Sequence, residues 1–513
     1  MVKVNKSMNK NIVSSIIIII LIQACSGNTH DEFVLEKANN NKPLNIVFIL
    51  SDDHRYDFMG FTGKVPFLQT PNMDKMALQG AHIQNAFVTT SLCSPSRASI
   101  LTGQYAHHHG VVDNQSPIAD SVNFFPQYLQ RAGYETAFVG KWHMGHDNDE
   151  PRKGFDRWVS FRGQGNYYNP AMNVDGERIE YKDSTYITDL LTDYAVDWLK
   201  TRTSEQPFFM YLSHKAVHSE FHPPKRHNGK YQGKPIQYPL TMFPPGSDDP
   251  RAEGINNDSI YNYKDVPDWV KKQRYSWHGV DYMYHGNINF ENFYYRYNET
   301  LLAVDESIGR IIEYLEEAGL MESTIIFYMG DNGFSFGEHG LIDKRQAYEE
   351  SMRVPLLAFS PANIKPGTII KPVIQNIDIA PTILELAGLK MPSNMDGMPF
   401  SRMLLGEEIP WRNKLFYEYF WERPFPQTPT VFAVRSDQYK FIRYQGIWDI
   451  NEFFDLQNDP LESNNLIRNE EYQDIIADMN QELFDWLKKT NGMQIPLRRD
   501  QGKRFDNKYS GTY

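Results

Sequence analysis

Cysteine is nearly absent from this 513-residue chain, which holds only two, Cys25 and Cys93. A fold framed by disulfides is therefore excluded. Positive charge is also in deficit. Lys and Arg number 52 against 64 Asp and Glu, a net charge of -12, which disfavours a nucleic-acid partner. That balance leaves room for an anionic ligand, because a local basic pocket can sit within an acidic surface. Long apolar runs are scarce as well. One stands near the N-terminus, Ile12-Val13-Ser14-Ser15-Ile16-Ile17-Ile18-Ile19-Ile20-Leu21, and at about ten residues it is too short to span a bilayer. No internal repeat is visible. Hydrophobic content of 41% and charged content of 23% are those of a soluble globular protein. The length suits one large domain with a smaller one. Aromatics reach 14%, with 30 Tyr and 9 Trp, an excess that serves either sugar stacking or a large aromatic core.

Lys3, Lys6 and Lys10 precede the apolar run, and Leu21-Ile22-Gln23-Ala24-Cys25 comes directly after it. Basic region, short apolar core and small residues before a cysteine read as a lipoprotein signal over residues 1–25, with Cys25 as the lipidated residue. An exported protein anchored to a bacterial envelope by lipid is the expectation. Cys93 is then the only thiol left in the mature chain. Residues 26–43, polar and carrying Asn39-Asn40-Asn41, read as a tether.

The continuous apolar run Asn45-Ile46-Val47-Phe48-Ile49-Leu50 predicts a strand buried on both faces of a parallel sheet. It delivers Ser51-Asp52-Asp53-His54. An Asp-Asp pair is most often a solvated turn; at the carboxyl end of a buried strand it becomes a candidate for a hard metal with oxygen ligands. The pattern recurs. Thr136–Gly140 leads to Lys141-Trp142-His143, and Pro207–Leu212 leads to Ser213-His214-Lys215-Ala216-Val217-His218. Thr324–Met329 leads to Gly330-Asp331-Asn332-Gly333, with Glu338-His339-Gly340 and Lys344 close behind. Helices are predicted at Thr70–Gly80, Phe125–Ala132, over Leu301–Leu315 and at Ile379–Ala387. His107-His108-His109 cannot easily converge on one ion, so a solvated or substrate-lining turn is expected. Residues 219–297, rich in Tyr, Pro, Gly and Asn with weak periodicity, read as an insertion over the site. After Gly406 short strands at Phe432–Arg435, Tyr439–Arg443 and Phe453–Leu456, then an amphipathic helix through Leu483 and Trp486, predict an α+β subdomain at 407–513. The catalytic unit is expected at 44–406.

Between these strands lies Cys93-Ser94-Pro95-Ser96-Arg97-Ala98-Ser99-Ile100-Leu101-Thr102-Gly103. Cys93 read alone is either a small buried residue in a turn before a helix or a nucleophile at a helix N-terminus beside Arg97. The whole string resembles the signature of type I sulfatases, and the resemblance extends over nearly all of residues 44–500. It implies an α/β fold like that of alkaline phosphatase, a mixed sheet sandwiched by helices with a small C-terminal antiparallel sheet and helix. It implies that Cys93 is converted to formylglycine by a formylglycine-generating or anaerobic maturating enzyme. The hydrated aldehyde would then attack sulfur and afterwards eliminate sulfate, which a serine nucleophile could not do. Asp52, Asp53, Asp331 and Asn332, together with the converted Cys93, are the implied ligands of one Ca2+. Arg97 is the implied holder of the hydrated aldehyde, and Lys141, His143 and Lys344 the implied contacts to nucleophile or sulfate. His218 is the implied acid for the leaving group. Val217 replaces the family's usual proline before it, which leaves His214 as a rival; His214 and His339 are candidate substrate-binding residues.

The expected substrate is a sulfated oligo- or polysaccharide, with ulvan or another algal glycan first and an N-acetylglucosamine-6-sulfate glycosaminoglycan second. A phosphoryl or phosphonate hydrolase of the same superfamily would bring Ser or Thr as nucleophile and two metals with His-rich shells; the all-oxygen donor set here favours calcium over zinc. A glycan-binding lipoprotein with Cys93 unconverted is the alternative of another class, and turnover of an aryl sulfate separates the two.

Overall fold

Asn45–Ser51 (β1) is buried at every position, as its unbroken apolar run demands. Its side chains alternate between two cores. Val47 and Ile49 enter one, and Ile46, Phe48 and Leu50 the other. Each such side chain contributes roughly 1.5–3 kcal/mol of burial. This computed structural model describes residues 43–145, 148–203, 205–286 and 289–496. The leader with Cys25, and nearly all of the expected tether, lie outside the described residues.

From β1 the chain runs through helix α1 (Pro71–Gln79), β2 (Ala81–Ile83), β3 (Ala86–Phe87), α2 (Cys93–Thr102), α3 (Phe125–Arg131), β4 (Glu135–Lys141), β5 (Arg157–Phe161), β6 (Ala171–Val174) and β7 (Glu177–Glu180). It continues with α4 (Ile187–Thr201), β8 (Phe208–Ser213), α5 (Phe290–Glu317), β9 (Thr324–Gly330), β10 (Leu356–Phe359), β11 (Thr368–Ile370), β12 (Ile374–Gln375) and α6 (Ile379–Leu386). Ten strands form one mixed sheet in the order β11-β2-β10-β9-β1-β8-β4-β5-β6-β7. The run β9-β1-β8-β4-β5 is parallel throughout, so its carboxyl ends open on one edge. Helices α4 and α5 cover one face through Leu191, Leu301 and Ile308. Helices α2, α3 and α6 cover the other through Ile100, Leu129 and Ile383. Short β3 and β12 pair outside the main sheet.

The helix expected over Leu301–Leu315 begins earlier, at Phe290. Its first turns bury Phe290, Phe293, Tyr294 and Tyr297, aromatics that hide an aliphatic period. The C-terminal part holds β13 (Lys414–Tyr419), β14 (Thr430–Ser436), β15 (Tyr439–Gln445) and β16 (Glu452–Asp455), antiparallel in that order, and helix α7 (Gln473–Lys489). β13 is a strand that the sequence patterning missed, although Leu415, Tyr417 and Tyr419 alternate as buried residues. Trp486 of α7 stacks on Phe416 with centroids 4.8 Å apart and meets Tyr105 edge-on at 5.0 Å. His107, expected with His108 in a solvated or substrate-lining turn, serves this packing instead, while His108 remains solvent-exposed. His107 Nδ1 lies 2.7 Å from Glu418 Oε2, His108 Nδ1 2.7 Å from Asp396 Oδ2, and both rings reach the Thr490 carbonyl at the end of α7. His109 is buried against the Ser99 hydroxyl.

Candidate active site

Strand register assembles the site. β1 and β9 pair so that Ser51 faces Gly330, which sets Asp52 and Asp53 beside Asp331 and Asn332. β8 pairs with β1 at Leu50–Ser213 and with β4 at Gly140–Ser213, which brings Lys141 to the same edge. Cys93 arrives from another direction, as the first residue of α2 after extended Leu92. Its Sγ lies 3.3 Å from Asp52 Oδ1 and accepts from Lys344 Nζ at 3.0 Å. One turn on, Arg97 Nε donates to Asp331 Oδ2 at 2.9 Å, and its Nη1 donates to the Lys141 carbonyl at 2.8 Å and to Ser213 Oγ at 2.6 Å. Lys141 pairs with Asp52 and reaches Gln164 Oε1 at 2.5 Å; Lys344 pairs with Asp53. Asp53 and His143 both adopt positive φ, 52° and 62°, a strained backbone of the kind that sites retain at roughly 1–3 kcal/mol each. The Ser94 hydroxyl donates to the His143 carbonyl at 2.5 Å and holds that loop.

Three carboxylates and three cations are thus buried together, and their charges perturb one another. Burial pushes the Asp331 carboxyl up to about 7, with the Asp52 charge adding to it. Burial acts on Asp52 too, yet Lys141, His218, Arg97 and Lys344 outweigh it and hold that carboxyl well below its usual range. Burial, with the Asp52 charge behind it, drives the Cys93 thiol up to about 12. Burial thus favours the thiol over the thiolate at Cys93. Burial, then Lys344, pulls His218 well below the usual imidazole value.

A hard cation fits the donors present. Oxygen atoms of Asp52, Asp53 and Asp331 lie within 4.8 Å of one another. Asn332 Nδ2 donates to Asp53 Oδ1 at 2.7 Å, while its buried Oδ1 has no hydrogen-bond partner among the described residues. Such an orphaned oxygen costs free energy unless something binds it. Carboxylate and amide oxygens are the ligand set of calcium or magnesium.

An open cleft of about 530 Å³ lies over this cluster, lined by its His143, His218 and Lys344 together with Gln164, Tyr167, Lys215, Trp277 and Phe425. The segment 219–297 contributes Ser219, Glu220, His222, Trp277 and His278 to its wall.

The sulfatase family profile matches residues 44–389, well over half of the chain. The chain belongs to the sulfatase family. A profile described as N-sulphoglucosamine sulphohydrolase, C-terminal, matches residues 337–489. An N-acetylglucosamine-6-O-sulfatase of Bacteroides thetaiotaomicron is 34% identical over 89% of this chain and 87% of its own. Human N-acetylglucosamine-6-sulfatase is 29% identical over 79% of this chain and 71% of its own. A solved structure described as bound to its substrate D-glucosamine-2-N,6-O-disulfate superposes with a TM-score of 0.76 at 32% identity, covering 89% of this chain and all of that one. The protein is accordingly a sulfuric ester hydrolase with the expected mixed α/β sheet and C-terminal antiparallel sheet.

In this sulfatase the residues named from sequence separate into two groups. Asp52, Asp53, Cys93, Arg97, Lys141, His143, His218, Asp331, Asn332 and Lys344 come together at one strand-end cluster. His214 and His339 do not face the cleft. Strand alternation turns Ser213 toward Arg97 and His214 to the opposite side, where its ring is fully buried and its Nε2 lies 3.0 Å from Ser307 Oγ of α5. His339 is buried by stacking on Tyr348, with centroids 4.0 Å apart. Sequence reasoning missed Ser213, Gln164 and Lys215. Lys215 lay in a polar stretch already singled out; Gln164, set in a glycine-rich turn, carried no signal.

Proposed function

We propose that this sulfatase removes a 6-O-sulfate from a glucosamine unit of a glycosaminoglycan-type chain. The observation that carries the reading is the 34% identity, over most of both chains, to an N-acetylglucosamine-6-O-sulfatase. It moves the substrate from the algal polymer expected first to the glucosamine sulfate held second.

Calcium bound by Asp52, Asp53, Asp331 and Asn332 would supply a Lewis-acid charge at the sulfuryl oxygens, and conversion of Cys93 to formylglycine would supply the nucleophile. The chain's own residues do the rest. Lys344 and Lys141 flank Cys93 and Asp52 and place positive charge where negative charge grows on the sulfuryl group. Arg97, clamped by Asp331 and Ser213, fixes the helix turn that carries Cys93. His218 lines the cleft; the negative charge of a bound sulfate beside it counters Lys344 and raises its proton affinity, so that it carries the proton it donates to the departing sugar oxygen. The buried, water-poor setting strengthens each of these charges.

The test is sulfate release by enzyme matured in a host with a formylglycine-generating system. Release from N-acetylglucosamine-6-sulfate is expected; release only from ulvan fragments, or only from other ring positions, overturns the reading. We also infer from the leader alone that the protein is exported and lipidated at Cys25. Labelled palmitate should enter wild type and not Cys25→Ala.

A further inference from the structure

The turn after β8 carries a lysine, Lys215, whose place in the reaction is unassigned. Lys215 and His218 are the two ends of this turn, closed by the His218 N–H donating to the Lys215 carbonyl at 3.0 Å. The turn is fastened to the metal-side backbone: Asp52 N–H donates to the Ala216 carbonyl at 2.9 Å, and Val217 N–H to the Asp52 carbonyl at 2.7 Å. Tyr167 fastens it from the other side. Its hydroxyl donates to the His218 carbonyl at 2.7 Å, and its ring lies 4.6 Å beneath Lys215 Nζ. Both Lys215 and His218 line the cleft.

The other strong cations here are committed. Lys141 is paired with Asp52, Lys344 with Asp53, and Arg345 with Asp343 and Glu422. Lys215 is 4% exposed, and among the described residues no carboxylate lies within ion-pair distance of its amine. Burial, with the Lys141 charge, pulls that amine down to about 7. The attraction of Asp52 and Asp53 offsets this only in part, so holding the charge on this amine is costly unless an incoming anion repays the cost. Lys344, hydrogen-bonded to the Cys93 sulfur, already supplies a cation to the reacting sulfate from the cleft wall. Lys215 lines the cleft one turn from the acid that meets the bridging oxygen, within the space a substituent of the bound sugar can enter.

We propose that Lys215 binds a second anionic substituent of the substrate, a sulfate or carboxylate other than the one hydrolysed, and so makes the enzyme selective for multiply charged glycans. This rests on the glucosamine-6-sulfate reading above. The second anion has two sources, a sulfate on the same ring or a carboxylate on the neighbouring uronic acid.

The test compares wild type with Lys215→Met, which keeps the length of the side chain and removes its charge. kcat/KM is measured on N-acetylglucosamine-6-sulfate, on glucosamine-2-N,6-O-disulfate, and on a disaccharide joining N-acetylglucosamine-6-sulfate to a uronic acid. A lost charge-assisted contact is worth roughly tenfold or more. The expected result is a loss at least tenfold larger on one of the doubly charged substrates than on the singly charged one. The substrate showing it identifies the source. Equal losses on all three overturn the proposal and make Lys215 a general electrostatic aid. If wild type hydrolyses none of them, the glucosamine reading fails. The same three sugars are then read as inhibitors of 4-nitrophenyl sulfate hydrolysis. Lys215→Met should weaken inhibition selectively for a doubly charged sugar, and unselective weakening overturns the inference.

Discussion

Replacing His218 or His214 by Ala separates a chemical role from a packing role, and the structure predicts opposite signatures. His218 lines the cleft with its side chain 16% exposed and its Nε2 4.0 Å from Asp53 Oδ2. A positioned acid is worth roughly a hundred- to ten-thousand-fold when the leaving group is an alkoxide. A nitrophenolate needs little such help. His218→Ala should therefore lose two to four decades of kcat/KM on a sugar sulfate, at the order of magnitude of general acid catalysis, and far less on 4-nitrophenyl sulfate. His214 is enclosed between β8 and α5, bonded to Ser307, which Thr192 Oγ1 also meets at 2.7 Å. Removing its ring leaves a cavity and takes away one of the two partners of the Ser307 hydroxyl. The cost is about 2–4 kcal/mol by analogy with large-to-small core substitutions. In a chain of this size each kcal/mol lowers Tm by about 2 °C or less, so His214→Ala should melt several degrees lower. Its kcat/KM should fall equally on both substrates, if it falls at all. Leaving-group dependence in His214→Ala, with none in His218→Ala, would refute the assignment drawn from the cleft.

Three further outcomes are expected. A Cys93→Ser variant should be nearly inactive, and mass spectrometry of the active wild type should find the Cys93 peptide lighter by the thiol-to-aldehyde change; an intact thiol in fully active enzyme would sink the mechanism. Calcium should raise the Tm of wild type through preferential binding to the folded state, and Asn332→Ala should shrink that rise by removing the orphaned amide oxygen; an unchanged calcium response in the variant would remove Asn332 from the ligand set. Glu306 gives a pH signature away from the site. Burial raises its carboxyl, but hydrogen bonds from His227 and Arg226 win and bring it down to about 2. A depressed carboxylate stabilises above its unfolded value near 4.5 and loses that contribution as pH falls toward 2, so the Tm advantage over Glu306→Gln should be full at pH 6 and vanish by about pH 2. A constant difference across that range would contradict the ion-pair account.

Much of the site was legible in the sequence because it hangs on strand ends. An unbroken apolar run such as Ile46–Leu50 has one stable setting, between two helical layers, and the polar residues next in the chain must emerge at the sheet's edge. Asp52, Asp53, Lys141, Asp331 and Asn332 could each be placed there by local pattern. Cys93 and Arg97 needed more than pattern. Their chemistry came from a motif whose resemblance to sulfatases is specific, and the four-residue step that puts them on one face of α2 is a helical property. The start of α5 and strand β13 were less legible, because aromatic residues at Phe290–Tyr297 and Leu415–Tyr419 serve helix and strand cores alike.

His214 and His218 show what a sequence leaves open. Both come after the same buried strand, four residues apart, and composition treats them alike. Which one meets solvent depends on alternation out of β8, on α5 crossing that face, and on a turn fastened to Asp52 and Tyr167. Those are contacts between residues tens to hundreds of positions apart, and no local propensity encodes them. The identity of the chemical groups, their attachment to buried strands and the motif at Cys93 were determined by the sequence alone. The pairing of Lys141 with Asp52, of Lys344 with Asp53, and the lack of a counterion at Lys215 were decided only by tertiary structure, since a charge is paired or orphaned by the distances the fold imposes.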